Sequence, residues 1–342
     1  MPIKFLPTYS ISPRIANCLM KIEAVKERVL YLPLTATVLT SLRETARFYT
    51  TRYSTMIEGN RLNPDQIEEV LKHEGHFPGR ERDEYEVKGY YAALAQVEQW
   101  VIKKSGVSEK IIQNLHALIM AEGKVKVKQS PYRDGQDVPE LMKALVNWIN
   151  NNDLPYPIVA GIAHYQFATI HPYYDGNGRT ARLLTTLIMH LGGYDLKGLY
   201  SLEEYYARNL AAYYEAINIG VSHNYYMGRA QADITKWIEY FIEGVVTSFE
   251  DVLKRMDEAQ SSGRSDQAHL LRQLDAKQRK ALELFQEFET ITASQLGKLF
   301  NFKPRTNAKL CKDWVVAGFI EIVDFSNKGR KYKLSKRYRS LI

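Results

Sequence analysis

The stretch His171-Pro172-Tyr173-Tyr174-Asp175-Gly176-Asn177-Gly178-Arg179-Thr180-Ala181-Arg182 runs straight into Leu183, Leu184, Leu187, Ile188 and Leu191. Apolar positions returning every three or four residues mark a helix that begins inside the stretch. Its Gly176-Asn-Gly178-Arg-Thr-Ala181 string formally fits the GxGxxG/A dinucleotide fingerprint. That fingerprint requires an apolar strand before it and a βαβ unit around it. Here His-Pro-Tyr-Tyr-Asp precedes it, the neighbourhood is helical, and no GxxxxGK[ST] string exists. The loop therefore belongs to a helical body, not to a doubly wound sheet or a P-loop fold.

Outward from the loop the helical period persists to about residue 256. Ile22, Val25, Val29 and Leu30 share a stripe, as do Leu141, Leu145, Trp148 and Ile149. Residues 202–219 and 234–246 behave alike, and prolines at 33, 64, 78, 131, 155 and 157 punctuate the runs. The one alternating string, Lys124-Val125-Lys126-Val127-Lys128, predicts a small exposed hairpin. From Asp257 to Gln267 the chain turns polar around Ser261-Ser262-Gly263, as a linker would. Beyond Lys277 the pattern changes. A helix bearing Leu282, Leu284, Phe285 and Phe288 is followed by Thr292, an N-cap for a short helix to Leu299. Pro304 opens a third helix through Trp314, and 319–325 and 331–334 read as strands joined by 326–330. Three helices and a basic hairpin describe a winged helix-turn-helix. The expected fold class is mainly α: an all-helical bundle, then a small α+β winged helix. The expected division is an N-terminal helical region over 1–115, a core over 116–256, a linker over 257–276 and the winged helix over 277–342.

Composition adds bounds. At 342 residues, 45% apolar and 25% charged, the chain suits a soluble protein of two or three domains. Residues 277–342 hold 15 Lys/Arg against 6 Asp/Glu, while the other 276 hold 31 against 33. The basic character thus belongs to the C-terminal end and suggests a polyanion or an acidic protein surface there. Cys18 and Cys311 form neither a disulfide framework nor a zinc spacing, which fits a reducing compartment. No apolar run approaches a membrane span, and the start lacks a secretory pattern, so a cytoplasmic location is expected.

The chemistry of the opening stretch is that of a phosphate site. Gly176 and Gly178 permit positive φ, so successive N–H groups can face one concavity. The helix that follows adds orphan donors and a favourable dipole. Arg179 and Arg182, three apart, can both reach a multiply charged phosphate. Asp175 is a hard oxygen ligand suited to Mg²⁺. His171, just ahead, can take a proton from an attacking hydroxyl. Each residue alone has an ordinary structural explanation; twelve residues holding all of them point to transfer of part of a nucleotide.

The stretch resembles the Fic family motif HxFx(D/E)GNGRxxR, with Tyr173 in place of Phe. The resemblance extends from about Ile11 to Val246 through Tyr213-Tyr214-Glu215-Ala216 and Trp237-Ile238-Glu239-Tyr240-Phe241, and similar proteins also carry a C-terminal winged helix. It implies transfer of AMP from Mg-ATP to a Tyr, Thr or Ser hydroxyl of a protein, the chain itself included. His171 would be the base and Asp175 the metal ligand. Gly176, Asn177 and Gly178 would form the anion hole, and Arg179 and Arg182 would bind the outer phosphates. Relatives that phosphorylate place Lys at position 178, so Gly178 favours nucleotidyl transfer.

Upstream, Ser54-Thr55-Met56-Ile57-Glu58-Gly59-Asn60 resembles the family's inhibitory signature [S/T]xxxE[G/N]. On that resemblance Ser54, Glu58 and Gly59 close a helix over about 40–57, and Glu58 pairs with Arg182 to block the γ-phosphate. The same Glu58 positioning a water would allow removal of AMP as a second activity. Relatives with a string like Ser130-Pro131-Tyr132-Arg133-Asp134-Gly135-Gln136 continue into a β-hairpin flap for the target. Here Asp137-Val138-Pro139-Glu140 follows at once.

Two alternatives stand beside this reading. One is a DNA-binding regulator using Arg305, Lys309 and Lys312 on one helical face and Lys328, Arg330 and Lys331 on the wing. The other is a Fic enzyme that transfers UMP or phosphocholine. A homodimer is compatible with either. His73 and His76 read as surface residues and His164 as a packed helical one.

Overall fold

A computed structural model describes residues 4–32, 34–73, 75–124, 126–134, 137–219, 229–261, 270, 273–324, 326 and 330–342. The chain forms two compact units: residues 1–30 with 43–253, and residues 31–42 with 254–342.

The helices of the larger unit are α1 (Pro13–Tyr31), the greater part of α2 (Ala36–Ile57), α3 (Pro64–Lys72), α4 (Glu81–Ile102), α5 (Glu109–Ile119), α6 (Val138–Asn150), α7 (Tyr156–Ile170), α8 (Asn177–Leu191), α9 (Leu202–Arg208), α10 (Leu210–Ile217) and most of α11 (Thr235–Ser261). Helix α7 is apolar all round and almost wholly buried, as a central helix must be. It is followed directly by the motif loop and by α8, which buries Leu183, Leu184, Leu187 and Ile188. Helices α4 and α5 pack on α8, and α6 and α11 pack on α7. Trp237 of α11 donates its indole N–H to the Gly161 carbonyl at 2.7 Å. The loop between α7 and α8 is therefore held between buried elements.

The smaller unit contains α12 (Ala276–Glu287), β1 (Ile291–Thr292), α13 (Ala293–Phe300), α14 (Pro304–Val316), β2 (Ile320–Asp324) and β3 (Lys331–Leu334). The sheet order is β1-β3-β2, antiparallel throughout, with Ile320 opposite Leu334 and Ile322 opposite Tyr332. Capping boxes open two of its helices, Asp275 with Gln278 and Thr292 with Gln295, each satisfying orphan N–H donors. Its core gathers Leu282, Phe285, Leu296, Trp314, Phe319 and Tyr338, together with Ala36 from the start of α2.

The expected hairpin at 124–128 is not formed: the described residues 124 and 126–128 lie in no strand. Among the described residues no strand neighbours the string to complete its hydrogen bonds, and two valines are too few to hold a hairpin by burial. The string leaves instead from a turn at Glu122 and Gly123, both at positive φ. Val125, Gly135, Gln136, 262–269 and the wing residue Lys328 lie outside the described residues.

Candidate active site

The motif loop is organised by where its carbonyls go. His171 closes α7 in the left-handed conformation, φ 53°, with its N–H on the Phe167 carbonyl at 3.0 Å. Its own carbonyl accepts from Arg133 Nε at 2.7 Å, and the Pro172 carbonyl accepts from the Arg133 N–H at 2.8 Å. The Tyr173 carbonyl accepts from Asn177 Nδ2 at 2.7 Å, and the Asp175 carbonyl is 2.9 Å from His116 Nε2. With these four carbonyls engaged, the loop is committed to one shape. Gly176 then takes φ 75° as the residue before α8, a conformation that favours glycine. Helix α8 thus starts just after Gly176, whose N–H is taken by Asp175 Oδ1 at 2.6 Å, and the N–H groups of its first turn have no intrahelical partner.

Two motif side chains already have partners within the protein. Asn177 is 3% exposed, and its amide also accepts from the Tyr173 N–H at 2.9 Å. Its side chain braces the loop, because both ends of the amide are used on the backbone of one residue, Tyr173. Arg179 is likewise buried, 3.4 Å from Glu86 of α4 and 3.3 Å from Asp175. A buried guanidinium needs counter-charge, and Glu86 supplies it. Arg179 is therefore tied back to α4 rather than standing open in the cleft.

Arg182 is different. Its Nε donates to Ser54 Oγ at 2.8 Å, and Nη2 donates to the Ser54 carbonyl at 2.9 Å and to Glu58 Oε1 at 2.8 Å. Burial opposes its charge, but Glu58, Tyr213 and Tyr90 hold its pKa above the ordinary value. The Glu58 carboxylate also lies over Gly178, where any Cβ would overlap Oε1. So the end of α2 puts a carboxylate at the start of α8 and on the second motif arginine. The end of α2 is itself anchored: Gly59 at φ 91° turns the chain, and Asn60 Nδ2 donates to the Asp83 carbonyl at 2.8 Å and to Glu86 at 3.2 Å. Tyr214 of α10 donates to the Ile57 carbonyl at 3.2 Å.

The His171 ring bonds the Ala168 backbone. Desolvation, helped by the charges of Arg133 and Arg229, keeps its pKa below the ordinary value despite Glu58. The imidazole is therefore neutral at neutral pH, the state a base requires. Tyr173 is 2% exposed, stacked on His116 at 3.6 Å between ring centroids, and its hydroxyl has no partner among the described residues. Its shape serves as the loop's anchor, while its hydroxyl gains nothing. His164 is fully buried between Thr185 and Tyr213, at 2.9 and 3.0 Å, and burial pushes it down to about 3.

Asp175 is half exposed, with Oδ1 on the Gly176 N–H at 2.6 Å and Oδ2 3.4 Å from Arg82. Among the described residues no group of three metal-ligating His, Cys, Asp or Glu exists. A single carboxylate beside a phosphate site fits Mg²⁺, which takes one or two protein oxygens and draws the rest from phosphates and water.

Sequence reading did not single out Glu86 of α4 or His116 of α5, and it quoted Arg133 and Tyr214 only within longer strings, without a role at the site.

Residues 106–189 match the Fic/DOC family. The chain is 29% identical over 167 residues to the protein adenylyltransferase Fic of Drosophila erecta, and 30% over 167 to that of Drosophila grimshawi. Each match covers 44% of this chain and 34% or 35% of the relative, so the chain spans about a third of the curated relatives' length. A Fic family protein from Desulfovibrio desulfuricans G20 shares the fold over 97% of this chain and 99% of its own, with TM-score 0.60 and 22% identity. Fic-1 of C. elegans (residues 134–508) shares it over 70% and 71%, with TM-score 0.59 and 24% identity.

Proposed function

This chain is a Fic-family protein, and from that premise we propose that it is a protein adenylyltransferase, moving AMP from Mg-ATP to a protein hydroxyl and held off by Glu58. The observation that carries the reading is that the site already grips an anion: the Glu58 carboxylate on Arg182 at 2.8 Å, over Gly178 at the start of α8. A place built to hold one negative oxygen suits a phosphate oxygen equally. The two compete, because one guanidinium cannot give both a full share of its donors.

In this mechanism His171, neutral at neutral pH, takes the proton of the acceptor Tyr, Thr or Ser hydroxyl. That oxygen attacks the α-phosphorus, and pyrophosphate leaves. Arg182 and the N–H groups at Asn177 and Gly178 stabilise the phosphate charge, the Gly176 N–H being taken by Asp175 Oδ1, while Arg179, neutralised by Glu86, holds Asp175 from behind. Asp175 would hold Mg²⁺, which supplies charge neutralisation on the phosphates. With Glu58 in place the γ-phosphate lacks Arg182, so transfer is slow; Glu58 placing a water would serve removal of AMP.

The test is labelling from α-labelled ATP and Mg²⁺. Wild type should label itself weakly, Glu58→Gly strongly, and Glu58→Gly with His171→Ala should lose about 10²–10⁴-fold. Absence of any transferred label from Glu58→Gly, to itself or to lysate proteins, with ATP, UTP or CDP-choline, overturns the transferase reading. Label from UTP or CDP-choline alone would assign UMP or phosphocholine transfer instead.

A second reading concerns the smaller unit, read as a winged helix. Arg305, Lys309 and Lys312 are exposed and lie at i, i+4 and i+7 of α14, one face of the helix. Arg330 and Lys331, beside the hairpin, are exposed as well. Such a face suits the phosphates of duplex DNA, as an accessory activity.

A further inference from the structure

Arg133 belongs to the 130–134 segment, which lies on the motif loop. The segment is fastened to α5 on one side: the Ser130 N–H meets the Gln113 carbonyl at 3.4 Å, and the Tyr132 hydroxyl donates to Glu109 at 3.4 Å. On the other side Arg133 gives two donors to consecutive carbonyls, its backbone N–H to Pro172 at 2.8 Å and its Nε to His171 at 2.7 Å. The residue so held is His171, a non-glycine at φ 53°. That conformation is unfavourable for a residue with a Cβ and persists only where neighbours over-determine it. His171 has its N–H fixed by Phe167 within α7; the other half of the constraint comes from Arg133.

We propose that Arg133 is a positioning residue for His171, locking the His171–Pro172 peptide so that the imidazole is presented to the acceptor hydroxyl in one orientation. Its role in turnover rests on the transferase reading; its hold on the histidine does not. Three charged groups act on the imidazole: Arg133, Glu58 and Arg229, with the Ala168 carbonyl bonding the ring. Arg133 and Arg229 disfavour protonation, and Glu58 favours it. Arg133 therefore both orients the base and helps keep it neutral.

The experiment uses the full chain carrying Glu58→Gly, so that Glu58 no longer contributes, with Arg133→Met and Arg133→Lys added singly. Two quantities are read: kcat and KM for ATP, and the His171 titration by NMR of histidine-labelled protein, assigned with His171→Ala. Arg133→Met, with neither donor nor charge on its side chain, should lower kcat about ten- to a hundredfold, the worth of a charged hydrogen bond. KM for ATP should hold, and the His171 midpoint should rise. Arg133→Lys keeps the charge but not the Nε–H, so kcat should fall while the midpoint stays. An unmoved midpoint in Arg133→Met, or a loss that appears in KM rather than kcat, overturns the proposal. If the Glu58→Gly parent itself transfers nothing, the transferase reading has failed, and the midpoint alone decides whether Arg133 governs His171. If Arg133→Met does not fold, Arg133→Lys decides: full kcat there refutes the positioning role.

Discussion

His171 and Arg182 show how single residues acquire their properties from what surrounds them. The imidazole is pushed below its ordinary pKa, first by desolvation and then by nearby cations. A base works in its neutral form, so transfer by Glu58→Gly should be level through neutral pH. It should fall as the pH drops through the depressed His171 value, below about 6.5. A pH–rate profile of kcat/KM checks this; a limb centred above the ordinary histidine range would show that another group limits the rate. Arg182 stays charged although buried because Ser54, Glu58 and Tyr213 surround it. Glu58 in turn depends on Gly178, since a side chain there would occupy its place.

Among elements, α7 and α11 set the platform beneath the loop. Gly161 lies where α11 approaches most closely: a Cβ there would be 2.8 Å from Phe241 Cδ1 and 3.3 Å from Ile238. Phe241 is fully buried beside His164 and Trp237 and has nowhere to retreat. Gly161→Ala should therefore destabilise by about 1–3 kcal/mol, the usual cost of overpacking. A unit of this size loses about 2–4 °C of melting temperature per kcal/mol, which thermal unfolding followed by circular dichroism will read. An unchanged melting temperature would show that the α7–α11 contact yields easily. The end of α2 is buried as well, with Thr51, Ser54, Thr55 and Ile57 all inside, and polar contacts from Asn60 and Tyr214 fasten the turn that follows it.

The molecule as a whole divides its charge unequally between two units, and its second proposed activity follows from that division. The 342-residue chain should bind duplex DNA with an affinity that falls steeply with salt, and Arg305→Ala with Lys309→Ala and Lys312→Ala should flatten the slope by about 0.9 per lost phosphate contact. Fluorescence anisotropy across a salt series measures both. No binding at low salt removes the DNA reading and leaves the transferase reading as it stands.

Local rules made the mainly α fold legible, because helical periodicity and capping signals such as Thr292 with Gln295 act over three or four residues. The loop-to-helix site was legible for the same reason: His171, Asp175, the glycines and both arginines lie within twelve residues. Alternation misled at Lys124–Lys128, where a strand needs a partner the string does not contain. What only the tertiary structure decided was which of those groups is engaged and by whom. Asn177 is spent on Tyr173, Arg179 on Glu86, and the His171 carbonyl on Arg133. Those partners lie 4, 93 and 38 residues from the groups they hold. Burial favours a partner for each polar group, and for Arg179 and His171 the packing of elements far apart in the chain, not spacing along it, selects which one.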